Sequence, residues 1–479
     1  MLSLFPSDAC GIIDTIDTLD QINPKSIGYG SRFHQRANSQ ELTAHHNTEQ
    51  HTEPNTATWL TLDNGLTLVH QETISPVVAV DVWVKVGAAH DPATGLGMAH
   101  FLEHMIFKGT ENIAPGEFDQ IIEYQGGMSN ACTSLDYTHF HCTTAAPRFR
   151  DTLPILAEML LHAKIDSAEF ASEREVVLEE LRQALDDPDY CAVQDLSATM
   201  YGDHPYGRAI LGQETTVACI TPSEMRAFHR QYYRPENMTV VVVGDISQAQ
   251  AITTVKGAFV NSHHGGEVIQ QHSSATAFSA CSAALPIVTV QPQRYVTTLP
   301  EAEQGRFLMA WSGPGAMESR ASVALDMVAA ILSNGRTSRL VRQLREEKGW
   351  VQDIDASFCL QEVGGMFMIC AYLDHDRVEP VEHLVNEILR DIAGGKISST
   401  ELARAQRNLC NGFTFGMESP RQVANFLGYH GVIGCEGLYD AGNDTYCQVV
   451  RSLTVAEIAA AAQTYLMPES AVVAAYLPA

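Results

Sequence analysis

"ITPSEMRAFHRQYYRPENMTVVVVGD", Ile220 to Asp245, returns later in the chain as "LTVAEIAAAAQTYLMPESAVVAAYLP", Leu453 to Pro478. Thr221, Glu224, Tyr232, Pro235 and Glu236 recur as Thr454, Glu457, Tyr465, Pro468 and Glu469 at a constant offset of 233 residues. "IDSAEF" at 165 likewise returns as "ISSTEL" at 397. A repeat on this scale predicts two tandem domains of one fold, residues 56–260 and 287–479. Between them, 261–286 is rich in Ser, Ala, Gly and Gln and reads as a linker. Residues 1–55 read as a poorly ordered N-terminal extension. They lack a basic-then-apolar signal pattern and carry Asp8, Asp14, Asp17 and Asp20, which a transit peptide would avoid. His45 and His46 are expected to be solvated residues of that tail.

Inside the first copy, "TWLTLDNGLTLVHQ" is a hairpin signal, two alternating runs around Asp63-Asn64-Gly65. From Val78 to Val86 every second residue is valine, with Asp81 and Lys85 on the other face. That period-2 pattern predicts a strand half-buried in a sheet. Helical patterns follow around 98–107, 115–125, 150–163 and 167–186. Strands and helices mix without regular βαβ alternation, so the fold class is α+β rather than a doubly wound sheet.

Composition narrows the function. A chain of 479 residues has length enough for two or more cores, and 45% hydrophobic with 18% charged residues is a globular balance. No apolar run approaches the roughly 18 residues that would span a bilayer. A net charge of −27 repels nucleic-acid phosphates and leaves basic peptides open as partners. Eleven scattered cysteines without a CxxC pair read as free thiols of a reducing compartment, so a cytoplasmic location is expected.

The chemistry is concentrated in "GMAHFLEHMIFKGT", Gly97 to Thr110. At about 100° per residue, Met98, Phe101, Leu102, Met105 and Ile106 form one stripe. His100, Glu103 and His104 fall opposite, where a solvated face would show Lys, Glu or Gln. Histidines at i and i+4 can hold one metal through neutral imidazoles, which suits Zn²⁺. Glu103 then stands beside the metal, free to act as a base.

Two histidines leave such a site short of a ligand. "EFASEREVVLEELRQAL", Glu169 to Leu185, is helical by pattern, with Phe170, Val177, Leu178, Leu181 and Leu185 as its apolar stripe. Glu175, Glu179 and Arg182 project away from it. Glu173 and Glu180, seven residues apart, line up along one edge of the stripe, where a carboxylate is costly unless paired or metal-bound. Phase therefore selects Glu180 over its neighbour Glu179. Without the histidines upstream, a glutamate snorkelling from the helix edge would explain each acid equally well.

"HFLEH" followed by "FKGT", then "GGMSNACTS", then "EREVVLEEL" stand in the order and spacing of the inverzincin metallopeptidases of the pitrilysin/insulinase type. Over residues 57–479 the chain most resembles the branch containing the mitochondrial processing peptidase β subunit and its bacterial relatives. The resemblance implies a zinc-dependent endopeptidase in which His100, His104 and Glu180 bind Zn²⁺, Glu103 is the catalytic base and Glu173 is an acidic support behind the zinc ligands. It implies two α+β domains, each an antiparallel sheet with helices packed on one side. It also implies that the strand around Asn130 and Ala131 receives a peptide as an added strand. Read without the family, that segment is an ordinary edge strand. Nearby His139 and His141 read as strand-face residues, not ligands.

The second copy has lost the metal set. Through the repeat, Glu173 corresponds to Ala405 and Glu180 to Gly412, and "LDMVAAIL" holds no histidine. Relatives use this half to hold substrate, through an arginine and a tyrosine that stabilise the oxyanion. Arg345 matches the arginine, but Gln352 stands where the tyrosine is expected, and Trp350 is two positions away. On sequence alone Arg345 is equally a helix-surface charge. The departure implies a heterodimer in which a homologous peptidase-like subunit supplies the Arg–Tyr pair. A homodimeric peptidase and a non-catalytic assembly subunit are the alternatives. Expected partners are thus peptide substrates and a second subunit, with no nucleic acid and no membrane.

Overall fold

The computed structural model describes residues 56–259, 285–299, 302–435 and 445–479. The N-terminal extension and all but the last two residues of the expected linker lie outside the described residues. The first sheet contains β1 (Thr58–Thr61), β2 (Thr67–Glu72), β3 (Val77–Val84), β4 (Met128–Thr133), β5 (Thr138–Ala145) and β6 (Met238–Gly244), in the order β1-β2-β6-β3-β5-β4. The second contains β7 (Gln293–Thr298), β8 (Gly305–Ser312), β9 (Val351–Cys359), β10 (Met366–Leu373) and β11 (Val472–Leu477), in the order β7-β11-β8-β10-β9. The fold is two-domain α+β. Within it each sheet has one parallel pair, β2 with β6 and β7 with β11; the other neighbours are antiparallel. The parallel partners are joined through a long helical excursion rather than a hairpin, which frees their direction.

The first domain's main helices are α1 (Met98–Ile106), α2 (Glu117–Tyr124), α3 (Phe149–His162), α4 (Ser167–Asp186), α5 (Pro188–Tyr201), α6 (Pro222–Tyr232) and α7 (Gln248–Phe259). The second domain's are α8 (Ser319–Leu332), α9 (Val378–Ala393), α10 (Ser399–Phe415), α11 (Pro420–Val432), α12 (Thr445–Ser452) and α13 (Val455–Tyr465). The repeated Thr and Glu have a shared physical role: Thr221 with Glu224 and Thr454 with Glu457 form reciprocal capping boxes that start α6 and α13.

Helices cover one face of each sheet from within its own domain. In the first, Val78, Val80, Val82, Val84 and Val86 meet Phe101, Leu102, Met105 and Leu178 in one core, as the alternation predicts. The other face is covered by the opposite domain. Helix α11 lies on β3 and β6, and α5 lies on β8 and β11. Trp83, Val241 and Val243 thereby join the core of the second domain, while Ala192, Leu196 and Met200 pack on Leu308, Ala310 and Ala474. Helix α11 approaches so closely that a Cβ at Gly428 would stand 1.9 Å from Trp83 Nε1. Glycine is required there by contact, not by backbone angle.

This exchange corrects the half-buried reading of β3. Asp81 is 1% exposed because its face meets α11, not solvent. His139 and His141 share that face, and neither belongs to the metal-type cluster. His139 stacks on Trp83 at 3.8 Å, and its Nε2 lies 3.2 Å from Asp81 Oδ2 without hydrogen-bond alignment. Burial pushes the Asp81 carboxyl up to about 7 and both imidazoles down to about 3, which leaves the imidazoles neutral and disfavours the charged form of the carboxyl. The nine cysteines among the described residues form no disulfide, and no described helix is long and apolar enough to cross a membrane.

Candidate metal centre

Helix α1 is set by its first turn. Gly97 enters it at φ 91° and has no side chain to cap with, so Asp91 does so from outside, accepting from Gly97 N at 2.7 Å and Ala99 N at 2.9 Å. Burial raises the Asp91 carboxyl to about 7 despite these bonds. Sequence reading missed Asp91, because only the folded loop brings it back to the helix start. From this start α1 is buried on both sides: the apolar stripe faces the valine core, and the opposite side faces β4 and α4.

On that opposite side the two helices bring their polar residues together. His100 and His104 sit with ring centroids 4.7 Å apart, at 68° to each other. Glu180 reaches both from α4: its Oε1 is 3.5 Å from His100 Nε2 and its Oε2 is 3.2 Å from His104 Nε2. One donor atom from each of the three lies within 4.8 Å of the others, the only such group among the described residues. Glu179, one position earlier, turns outward to Arg182. Glu173 accepts from His104 Nδ1 at 3.0 Å and is paired with Lys108 on its other oxygen. Glu103 is buried, and its Oε2 accepts from Thr133 Oγ1 at 2.6 Å. Thr133 was visible in the quoted motif, yet nothing in its spacing marks a contact with Glu103.

The donor set fits a zinc ion. Bonds of about 2.0–2.1 Å on a tetrahedron put neighbouring donors about 3.3 Å apart. The two Glu180 oxygens stand 3.5 Å and 3.2 Å from the imidazole Nε2 atoms, and one donor from each residue lies within 4.8 Å of the others. With an ion bound, Glu173 would keep the proton on His104 Nδ1 and leave the Nε2 lone pair for the metal. The electrostatics call for positive charge. Burial lowers the His104 imidazole, but hydrogen bonds to Glu173 and Glu180 outweigh it and raise it to about 10. Burial likewise opposes ionisation of Glu180, yet its contacts with His100 and His104 hold it well below the ordinary carboxylate range. A divalent cation supplies the charge that a proton supplies in its absence. Glu103 differs: burial dominates and raises its carboxyl, against the pull of the histidines and Thr133.

The other expected residues are spread wider. Strand β4 is the terminal strand of its sheet and pairs only with β5. Asn130 on it is exposed, and Ala131 packs toward the valine core. Arg345 lies in the second domain, on the helical turn Val341–Glu347, bound to Asp353 at 2.8 Å and to Glu346. Gln352 is exposed on β9, and Trp350 lies under Lys348, whose Nζ is 4.4 Å from the ring centroid.

Two family models match the chain. Insulinase (Peptidase family M16) spans residues 67–214 and Peptidase M16 inactive domain spans 220–409, together well over half of the 479 residues. The chain belongs to the insulinase (M16) peptidase family. An uncharacterised zinc protease of Mycobacterium leprae is 29% identical to it over 374 residues, covering 77% of this chain and 80% of that one. The zinc protease PqqE of Helicobacter pylori is 29% identical over 376 residues, covering 77% and 82%. The crystal structure of a protease from Helicobacter pylori superposes with a TM-score of 0.79 at 26% identity, covering 88% of this M16 chain and all of that one. The region matched by the inactive-domain model contains Ala405 and no His-x-x-Glu-His run.

Proposed function

We propose that the chain is the zinc-bearing subunit of a metalloendopeptidase. The observation that carries this reading is the convergence of His100, His104 and Glu180 beside the buried carboxylate of Glu103. His100 and His104 would hold the ion through Nε2 and Glu180 through a carboxylate oxygen. Zn²⁺ bound there supplies Lewis acidity toward a scissile carbonyl and makes a water molecule easier to deprotonate. Glu103 takes the proton through Oε1, the oxygen Thr133 leaves free, and passes it to the departing amine. Glu173 keeps His104 in the tautomer that presents Nε2. A substrate peptide would add to the outer edge of β4, alongside Asn130 and Ala131, through main-chain hydrogen bonds.

The second half of the reading concerns a partner. Arg345 is held by Asp353 and Glu346, and Gln352 stands in place of a phenol. A related subunit would therefore supply the Arg–Tyr pair to the oxyanion. The test is cleavage of a mixed set of quenched fluorescent peptides by the purified chain, with Glu103→Gln as the blank. Loss of the general base is expected to cost about 10²–10⁴-fold in kcat, with zinc retained. Zinc bound without any Glu103-dependent cleavage would point to the missing subunit; robust cleavage by the lone chain would end the obligate heterodimer.

A further inference from the structure

We propose that Thr133, on the strand that receives the peptide, is the positioning residue of the general base. This rests on the reading of Glu103 as that base. Among the described residues, the one hydrogen bond given to the Glu103 carboxylate comes from Thr133 Oγ1, at 2.6 Å to Oε2. The length is that of a charge-assisted O–H···O⁻ bond. Thr133 is 3% exposed and Glu103 9%, so little water reaches the pair to replace the bond.

Strand geometry makes the hydroxyl a fixed point. Thr133 ends β4 opposite Thr138, and Ala131 lies opposite Phe140, so both side chains share the sheet face turned to α1. Thr138 is itself tied to Val86 O at 2.8 Å. Glu103, by contrast, projects from a helix on three rotatable bonds. Tethering Oε2 to the sheet leaves Oε1 as the free oxygen and sets its direction. Because the hydroxyl belongs to the edge strand, a peptide pairing with β4 would brace the same strand that aims the base. Binding and base orientation then share one element.

A buried threonine could merely be satisfying its own hydroxyl on the nearest acceptor. Thr133→Val and Thr133→Ser separate the two readings. Valine keeps the β-branched shape that a strand favours and removes the bond; serine restores it. Steady-state kinetics, zinc content and a crystal structure are to be taken for each variant and the unaltered chain. For Thr133→Val, kcat is expected to fall about ten- to a hundredfold, the range for a lost bond to a charged group, with KM within about twofold. Zinc content should be unchanged, and the Glu103 carboxylate should leave its single position. Thr133→Ser should return both the rate and that position. A Glu103 carboxylate unmoved in Thr133→Val, or a rate that falls equally in Thr133→Ser, would overturn the proposal. If the lone chain binds zinc but cleaves nothing, the missing subunit is the cause, and the Glu103 position in Thr133→Val and Thr133→Ser still decides the role of Thr133.

Discussion

The two domains are built by one plan, and only one of them keeps the donors. Helix α1 ends three residues before Gly109 at φ 91°, and α8 ends three residues before Gly335 at φ 88°. Counting back from these glycines, Glu103 and His104 correspond to Ala329 and Ala330, and His100 to Asp326. On the second helix of each pair, Glu173 and Glu180 correspond to Ala405 and Gly412. Ala329, Ala330 and Ala405 are buried in an apolar core. Asp326 survives as a lone carboxyl that accepts from Tyr446 at 3.3 Å, and burial raises it to about 8. The fold is thus indifferent to the metal set. Capping boxes, the exchanged helices and, β1 apart, the sheet order are shared by both halves, whereas the ligand cluster is an addition to one.

That contrast can be broken at its strongest point with His104→Ala, which makes the first domain resemble the second. Bound zinc and Glu103-dependent cleavage should both vanish, while circular dichroism stays that of the folded chain. Unaltered zinc content would mean that the metal sits elsewhere. Glu173→Gln tests the support rather than the ligand set. Loss of its carboxylate should weaken zinc binding by about 10- to 100-fold, measured by competition with a chelator.

Smaller effects should be shared between the halves. Gly428→Ala drives a methyl into the Trp83 indole at the seam, and overpacking of this kind costs about 1–3 kcal/mol, read as a lower denaturant midpoint. A zinc site that depended on the second domain only for stability would keep its affinity below that midpoint. Smallest are the capping boxes. Thr221→Ala and Thr454→Ala should each cost about 0.5–2 kcal/mol, and a cost many times larger in one copy would show that the two helices are not equivalent.

How much of this was legible in the sequence follows from the range of the contacts. The repeat, the Asn64-Gly65 hairpin and the valine alternation report local geometry, and the elements stand within a few residues of their predicted places. Helical phase separated Glu180 from Glu179, because rotation about a helix axis is itself local. Asp81 was misread as a solvent-facing residue, since its cover comes from α11, far along the chain. Asp91 and Thr133 escaped for a related reason. A loop that folds back on its own helix, and a strand hydroxyl that meets a helix carboxylate, leave no period in the sequence. Arg345 could be located by motif, but its ion pairs with Asp353 and Glu346 could not.

The most direct test of the difference between the halves is anomalous X-ray scattering at the zinc edge from crystals of the purified chain. One peak is expected, between His100, His104 and Glu180, with none between α8 and α10. No peak at the three side chains in zinc-containing crystals, or a peak of equal height in the second domain, would contradict it.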